Sequence, residues 1–380
     1  MCYGLFERKR FKSSEAGFSL LEMIIAVTVF LIIMSAIYGL LRIGVISRNT
    51  INNRSETITN ARSAVNSVGK DIINAGLGFS RVGGLVPDDF ASQYLNIIQD
   101  LGQERDLLTG IIAGNDIRES DLSVNGQKND IVAFAYRDLE FNGGNAVIIS
   151  DAPLESILNN SIVLKTAAGA CAACKPNDLY LIESKDGKQA VVIATAVPDT
   201  NTVVLGSNDS LNLNQDVINT SSNYRSILTK CVVGNTANCI DYTAGVTAKK
   251  IYWVSYSVEA DGTLVRTSYG NNPSDSSSGS GSSGSSGSGS SGSSSVSQIQ
   301  KSPLAYGVQT FQVRYLMQDG TVSDDPSNGN TTPLKMNEVV QVEITVTVKS
   351  NSDEGSVTNK ELINVTSTFS TRNLRYDVGN

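Results

Sequence analysis

AGFSLLEMIIAVTVFLIIMSAIYGLLRIG, residues 16–44, is an apolar run of membrane length with a glutamate, Glu22, near its start. From Phe18 to Leu41 it holds 24 residues, and a helix rising about 1.5 Å per residue needs about 20 to cross a bilayer. Arg8, Lys9, Arg10 and Lys12 precede the run while Arg42 and Arg48 follow it, so the charge comparison leans only slightly toward a cytoplasmic N-terminus. A secretory signal peptide fits poorly, because the apolar stretch is too long and no small-x-small cleavage site follows Leu41. An ordinary single-span anchor fits the length but leaves Glu22 unexplained. A carboxylate in hydrocarbon costs roughly 2.5–3.5 kcal/mol at mid-helix, less near an end, and is kept mainly where it finds a partner. Cleavage between Gly17 and Phe18 would create that partner, an α-amine about one helical turn from Glu22, whose unperturbed pKa of about 7.7–8.0 allows a positive charge. Within one helix the first turn already favours a carboxylate through its exposed N–H groups. Between staggered copies, the glutamate of one chain would meet the amine of the next and set an assembly register.

The rest of the chain bounds what such an anchor carries. Its 380 residues allow a core plus an anchor or a second lobe. The formal charge is −7, and the first 17 residues carry four basic against two acidic side chains, so the remainder stands at −9. That acidic body has no electrostatic footprint for nucleic acid. There is no histidine, which removes the usual general base near neutral pH and the commonest transition-metal ligand. Neither a G-x-S-x-G nucleophile motif nor a phosphate-binding glycine loop is present. These absences argue against a membrane-anchored periplasmic enzyme.

Beyond the membrane face, Ile51, Ile58, Ala61, Val65, Val68 and Ile72 recur at spacings of seven, three and four, a seam that packs one helical face on a core. Arg54, Glu56, Asn60, Arg62, Asn66 and Lys70 fill the other face. Gly76 and Gly78 supply the glycines that end helices. With no proline or glycine cluster in between, one rod of about 85 Å is expected, with Gly39 a soft spot in it. Behind it the chain reads as β-rich. Val340, Val342, Ile344, Val346 and Val348 alternate with polar residues, as do Phe311, Val313 and Tyr315, the period of a half-buried strand. Further strands are expected at 131–136, 146–150, 161–165, 178–183, 189–197, 202–206, 251–258 and 363–370. The fold class is therefore α+β: a long N-terminal transmembrane-to-periplasmic helix packed on an antiparallel β-sheet head. Residues from about 85 to 250 exceed a minimal head and predict a second β lobe or a large insertion. The serine-glycine stretch 274–295 has no apolar residue and predicts a flexible tether with a reach of roughly 25 Å, linking neighbouring strands or adjacent lobes. The expected organisation is a leader at 1–17, the helix at 18–75 with its membrane span at 18–41, a β-rich head with insertion at 76–273, the tether, and strands at 296–380 that complete the head.

Gly17-Phe18-Ser19-Leu20-Leu21-Glu22, followed by the apolar helix, resembles the cleavage and methylation site of type IV prepilins and type II secretion pseudopilins. The resemblance implies that a prepilin peptidase cuts after Gly17 and N-methylates Phe18, and that Glu22 directs assembly into a helical filament. Three further stretches are similar to PilW-like minor pilins and, next, to the J-type minor pseudopilin: VGKDIINAGLGFS at 68–80, VSYSVEADGTLVR at 254–266 with an Asp261-Gly262 turn, and FSTRNL at 369–374. The implied protein is a minor pilin of a type IV pilus that takes part in filament initiation, at the tip. The alternative is a minor pseudopilin of a type II secretion system, and behind both stands a membrane-anchored periplasmic binding module. The implied precursor is single-pass in the inner membrane with a periplasmic head, later part of a surface filament. Its implied partners are the peptidase, the major and other minor pilins, and the inner membrane.

Cys171, Cys174, Cys231 and Cys239 lie beyond the membrane, where disulfides are permitted, and Cys2 lies in the leader. Local pairing, Cys171 with Cys174 and Cys231 with Cys239, is favoured by the short loops, with the crossed pairings open. A redox dithiol at CAAC and a four-cysteine zinc site are weaker readings. No cofactor is expected. DGTVSDDPSNGN, residues 319–330, gathers Asp319, Asp324 and Asp325 with Asn328 and Asn330, a calcium candidate by residue type, although turn formation alone explains the same residues.

Overall fold

The apolar run and the seam behind it fold as one helix, α1 (Leu20–Asn74), in the computed structural model, which describes residues 19–87, 90–99, 105–124, 126–148, 157–158, 161–166, 169, 171–184, 187–206, 209–214, 246–272, 298–349 and 362–374. The chain divides within this helix: residues up to Ser55 belong to one compact unit, and the described residues from Glu56 onward form the other. In the first unit the helix has no buried side chain and continues through Gly39. In the second, Ala61, Ala64, Val65, Val68 and Ile72 are buried. Ile58 is half-buried and Ile51 is 63% exposed. The buried seam therefore begins later than the periodicity predicts, because a repeat in sequence does not reveal where its covering sheet starts.

The head is built from β1 (Gly84–Pro87), β2 (Arg105–Leu108), β3 (Ile111–Arg118), β4 (Asn129–Arg137), β5 (Val147–Ile148), β6 (Ile157–Leu158), β7 (Ser161–Lys165), β8 (Leu179–Glu183) and β9 (Gln189–Ile193). It continues with β10 (Ala196–Asp199), β11 (Thr202–Gly206), β12 (Thr247–Val258), β13 (Leu264–Tyr269), β14 (Ile299–Ala305), β15 (Val308–Met317), β16 (Val322–Ser323), β17 (Val339–Lys349) and β18 (Leu362–Ser370), with a short helix α2 (Phe90–Leu95) after β1. Three sheets result. The largest runs β14-β13-β12-β8-β9-β1-β2, with β4 and β5 also paired to β12 and β3 to β4. A second runs β10-β11-β7-β6 and a third β16-β15-β17-β18. Every pairing is antiparallel except β1 with β9.

β12 is the strand that joins the parts. Its first residues, Thr247–Lys250, pair with β8, and Ile251–Tyr256 pair with β4 along the same strand. Trp253–Val258 pair with β13 on the other edge. Of the described strands between residues 84 and 250, β1–β5, β8, β9 and the start of β12 belong to the largest sheet and β6, β7, β10 and β11 to a separate one, all within the compact unit that begins at Glu56. β13 and β14 pair from Leu264↔Ala305 to Tyr269↔Ile299, so the serine-glycine stretch, itself outside the described residues, joins two neighbouring strands. The β12–β13 connection spans Glu259–Thr263, longer than a two-residue turn, with Gly262 at φ +80°. A Cβ at Gly262 would strike the Leu122 side chain, so both conformation and space require glycine there.

Three apolar cores follow from this layering. The first joins the helix seam to inward residues of β4, β12, β15 and β17, among them Phe134, Tyr256, Phe311, Ile344 and Val346. Trp253 centres the second, stacked on Tyr269 with ring centroids 3.8 Å apart. The third contains Cys171, Tyr180, Val192 and Leu205 between the largest sheet and the β10-β11-β7-β6 sheet.

Candidate functional site

The N-terminal end of α1 is the first part of the site. Glu22 stands in its first turn, where its backbone N–H donates to the Ser19 carbonyl at 2.9 Å. Gly17 and Phe18 lie outside the described residues. From Leu20 to Ile46 the large apolar side chains are exposed all around the helix, Leu20 by 78% and Ile32 by 70%, and the helix is long and apolar enough to span a membrane. Such a helix needs lipid or other helices to cover it. The Thr28 hydroxyl donates to the Ile25 carbonyl at 2.8 Å, so that polar group is satisfied within the helix.

The second part is the seat of the helix on the head. Asp71, at the end of the seam, is 6% exposed. Its Oδ1 accepts the Tyr136 hydroxyl at 2.7 Å, and its Oδ2 accepts the Arg266 Nε–H at 2.9 Å and the Tyr256 hydroxyl. A buried carboxylate is tolerated when its lone pairs are filled in this way. Burial, reinforced by the Asp71 charge, pushes both phenols above their ordinary range. Burial draws the Arg266 guanidinium down, and the Asp71 hydrogen bond and charge more than restore it. Gly69, two residues earlier and also buried, lies against Phe369 of β18; a Cβ there would collide with the ring. The helix ends on Gly76 at φ +79°, whose N–H donates to Ala135 O at 2.9 Å. Asn373 Nδ2 donates to the orphan Ile73 carbonyl at 2.9 Å, a cap supplied from the far end of the sequence. Arg372 is exposed, and Asn373 and the buried Leu374 follow β18 rather than lying in it.

Other expected residues fall elsewhere. Cys171 and Cys174 are bonded to each other beside the third core; Cys2, Cys231 and Cys239 lie outside the described residues. Asp319 accepts from Thr321 N and Oγ1 at 2.9 and 2.6 Å. Asp324 pairs with Arg314 at 2.9 Å, and Asp325 accepts from Gly329 N at 2.7 Å and Ser327 Oγ at 3.1 Å. These carboxylates are turned to separate partners, and among the described residues no three acidic or cysteine side chains converge on a metal position. Asn330 instead donates to Ala113 O at 2.8 Å and pins the loop to β3.

Sequence reasoning missed Asp71; Arg266 and Asn373 lie in the quoted stretches 254–266 and 369–374, but their bonds to the helix were not foreseen.

Residues 12–38 match the family described as the prokaryotic N-terminal methylation motif. No curated protein and no solved structure matches the chain. The motif and the uncovered apolar helix support a type IV pilin- or pseudopilin-like protein made as a membrane-anchored precursor, and the motif implies processing by a prepilin peptidase.

Proposed function

We propose that this chain is a minor pilin of a type IV pilus, PilW-like in its head, whose role is structural rather than catalytic. The observation that carries the reading is a helix apolar on every side with one carboxylate, Glu22, in its first turn behind the methylation motif. The peptidase cuts between Gly17 and Phe18, methylates the new amine, and leaves the head on the periplasmic side. Glu22 then pairs with the Phe18 amine of a neighbouring subunit, and that pair sets the stagger between helices. About 300 residues follow the helix, so copies of a head of that size cannot line a shaft side by side at the axial spacing that packed helices allow. A sparse place at the tip, where assembly starts, fits a head of that size.

Intact-mass measurement tests the processing: loss of residues 1–17 plus one methyl is expected, and a mature chain starting at Met1 would refute it. Glu22→Gln should insert into the membrane as well as wild type and fail to enter filaments. Normal incorporation of that variant would sink the amine pairing. Gold labelling should mark filament ends; continuous labelling along the shaft would overturn the tip position.

A further inference from the structure

We infer that the free edge of β18 is a strand-addition site for an extended, acid-bearing segment of a neighbouring subunit; this rests on the filament reading above. The argument begins with how the other sheet edges are treated. An exposed edge offers unpaired N–H and C=O groups, and proteins blunt such edges with lysine, proline, bulges, shortness or cover. β14 carries Lys301 and Pro303. β3 shifts register between Gly114 and Arg118 and is covered by the Asn330 bond to Ala113. β2 and β10 have four residues, β6 and β16 two.

β18 has none of these devices. It is nine residues long, LINVTSTFS, without charge or proline. Its pairing with β17 runs without a shift from Lys349↔Leu362 to Gln341↔Ser370, and among the described residues it has no second neighbour. The Thr371 N–H donates to Val340 O at 3.0 Å, which fixes the alternation of the ladder. Residues 363, 365, 367 and 369 therefore bond β17, and the N–H and C=O groups of Asn364, Thr366, Thr368 and Ser370 point away from it.

The space beside that edge is open. A groove of ≈ 410 Å³ lies between the α1 stripe Ile58, Arg62, Asn66 and residues 363–367 of β18. It is lined by one cation and no acid. Arg62 is exposed and has no ion pair among the described residues. A strand added to β18 runs past this guanidinium, so the fitting occupant carries an Asp or Glu on the side facing the helix. Backbone hydrogen bonds supply the affinity, and the Arg62 contact supplies the choice of partner.

The test uses the full chain in its own cells, with a photo-crosslinking benzoylphenylalanine at Thr366 and, as control, at Ser302 on the guarded β14 edge. The expected adduct from position 366 joins an extended, Asp- or Glu-containing peptide of a different subunit, mapped by mass spectrometry, while position 302 gives none. Asn364→Pro, which removes an outward N–H as Pro303 does on β14, should lower the adduct about tenfold, as should Arg62→Glu, while Arg62→Lys retains it. Arg62 is an exposed helix position, so its variants keep the test valid should the proline variant misfold. Absence of the adduct, an adduct to a second copy of this chain, or yields unchanged by both Asn364→Pro and Arg62→Glu would overturn the inference. Methylated Phe18 and Glu22-dependent assembly are followed in the same cells. Their failure would reject the filament reading, whereas their presence without the adduct rejects the strand site alone.

Discussion

Asp71→Ala removes the acceptor of three hydrogen bonds at once and leaves the Arg266 guanidinium and the Tyr136 and Tyr256 hydroxyls facing a gap. Breaking a buried ion pair by deleting one partner costs about 3–5 kcal/mol, since an uncompensated charge remains. The Asp71 side chain is 9% exposed and that of Arg266 27%, so water reaches the abandoned guanidinium and the lower end, about 3 kcal/mol, applies. For a unit of this size each kcal/mol shifts the midpoint by roughly 2–4 °C, so the head should melt about 6–12 °C lower. The assay is near-ultraviolet circular dichroism of the full chain in detergent, where Trp253 and the tyrosines report head packing, with limited proteolysis to follow release of the helix end. Removing the cation as well, in Asp71→Ala with Arg266→Met, should recover about 1–2 kcal/mol, because the unpaired charge is gone. A loss under about 1 kcal/mol in the single variant, or strict additivity in the double one, would refute the idea that this carboxylate ties the helix to the sheet.

Asp130, whose Oδ1 accepts from Asp116 N and Oδ2 from Val313 N, is pushed up to about 6 by burial, with repulsion from Asp116 and Asp324 added and those two hydrogen bonds opposing. Its folded-state value lies above its unfolded one, so its stabilising contribution is complete below about pH 4 and lost as pH rises through about 6, a swing of at most about 3 kcal/mol. The stability of Asp130→Asn relative to wild type should therefore rise across that window in denaturant titrations, and a flat difference would count against the shift. Gly69→Ala gains about 1 kcal/mol of helix propensity but displaces the Phe369 ring, a cost of about 1–3 kcal/mol; the denaturation midpoint should fall, with recovery in Phe369→Leu. Replacing Cys171 and Cys174 by Ala opens a four-residue loop, and chain entropy puts the loss at about 2 kcal/mol, read as faster protease cutting near the third core.

Local pattern made much of this molecule readable. The alternation from Val340 to Val348 marks β17, and GFSLLE lies within the stretch, residues 12–38, that matches the methylation-motif family. β3 was missed because IIAGNDIR has no alternation: its Ile111–Gly114 half is buried on both faces and its other half bends at a register shift; β1 and β2, at four residues each, are too short to show a period. Asp71 and Arg266 were illegible for a different reason. They stand 195 positions apart, and nothing local to KDII or LVRT states that the two meet. The same holds for Asn129 and Asp130, whose side chains accept the Phe311 and Val313 N–H groups at 2.7 Å and join two sheets through bonds that no periodicity encodes.

The first core brings Ala61 and Ile72 together with Val346 and Leu374, and this has a consequence in time. A ribosome adding about 5–20 residues per second takes about 15–60 s to travel from the seam of the helix to the strands that cover it. Throughout that interval the membrane anchor is already made, while the apolar seam above it has no sheet to lie on. A newborn chain therefore leaves that seam uncovered until its last strand arrives. Folding of the unit that begins at Glu56 ends where Asn373, almost the last of the described residues, closes the helix end.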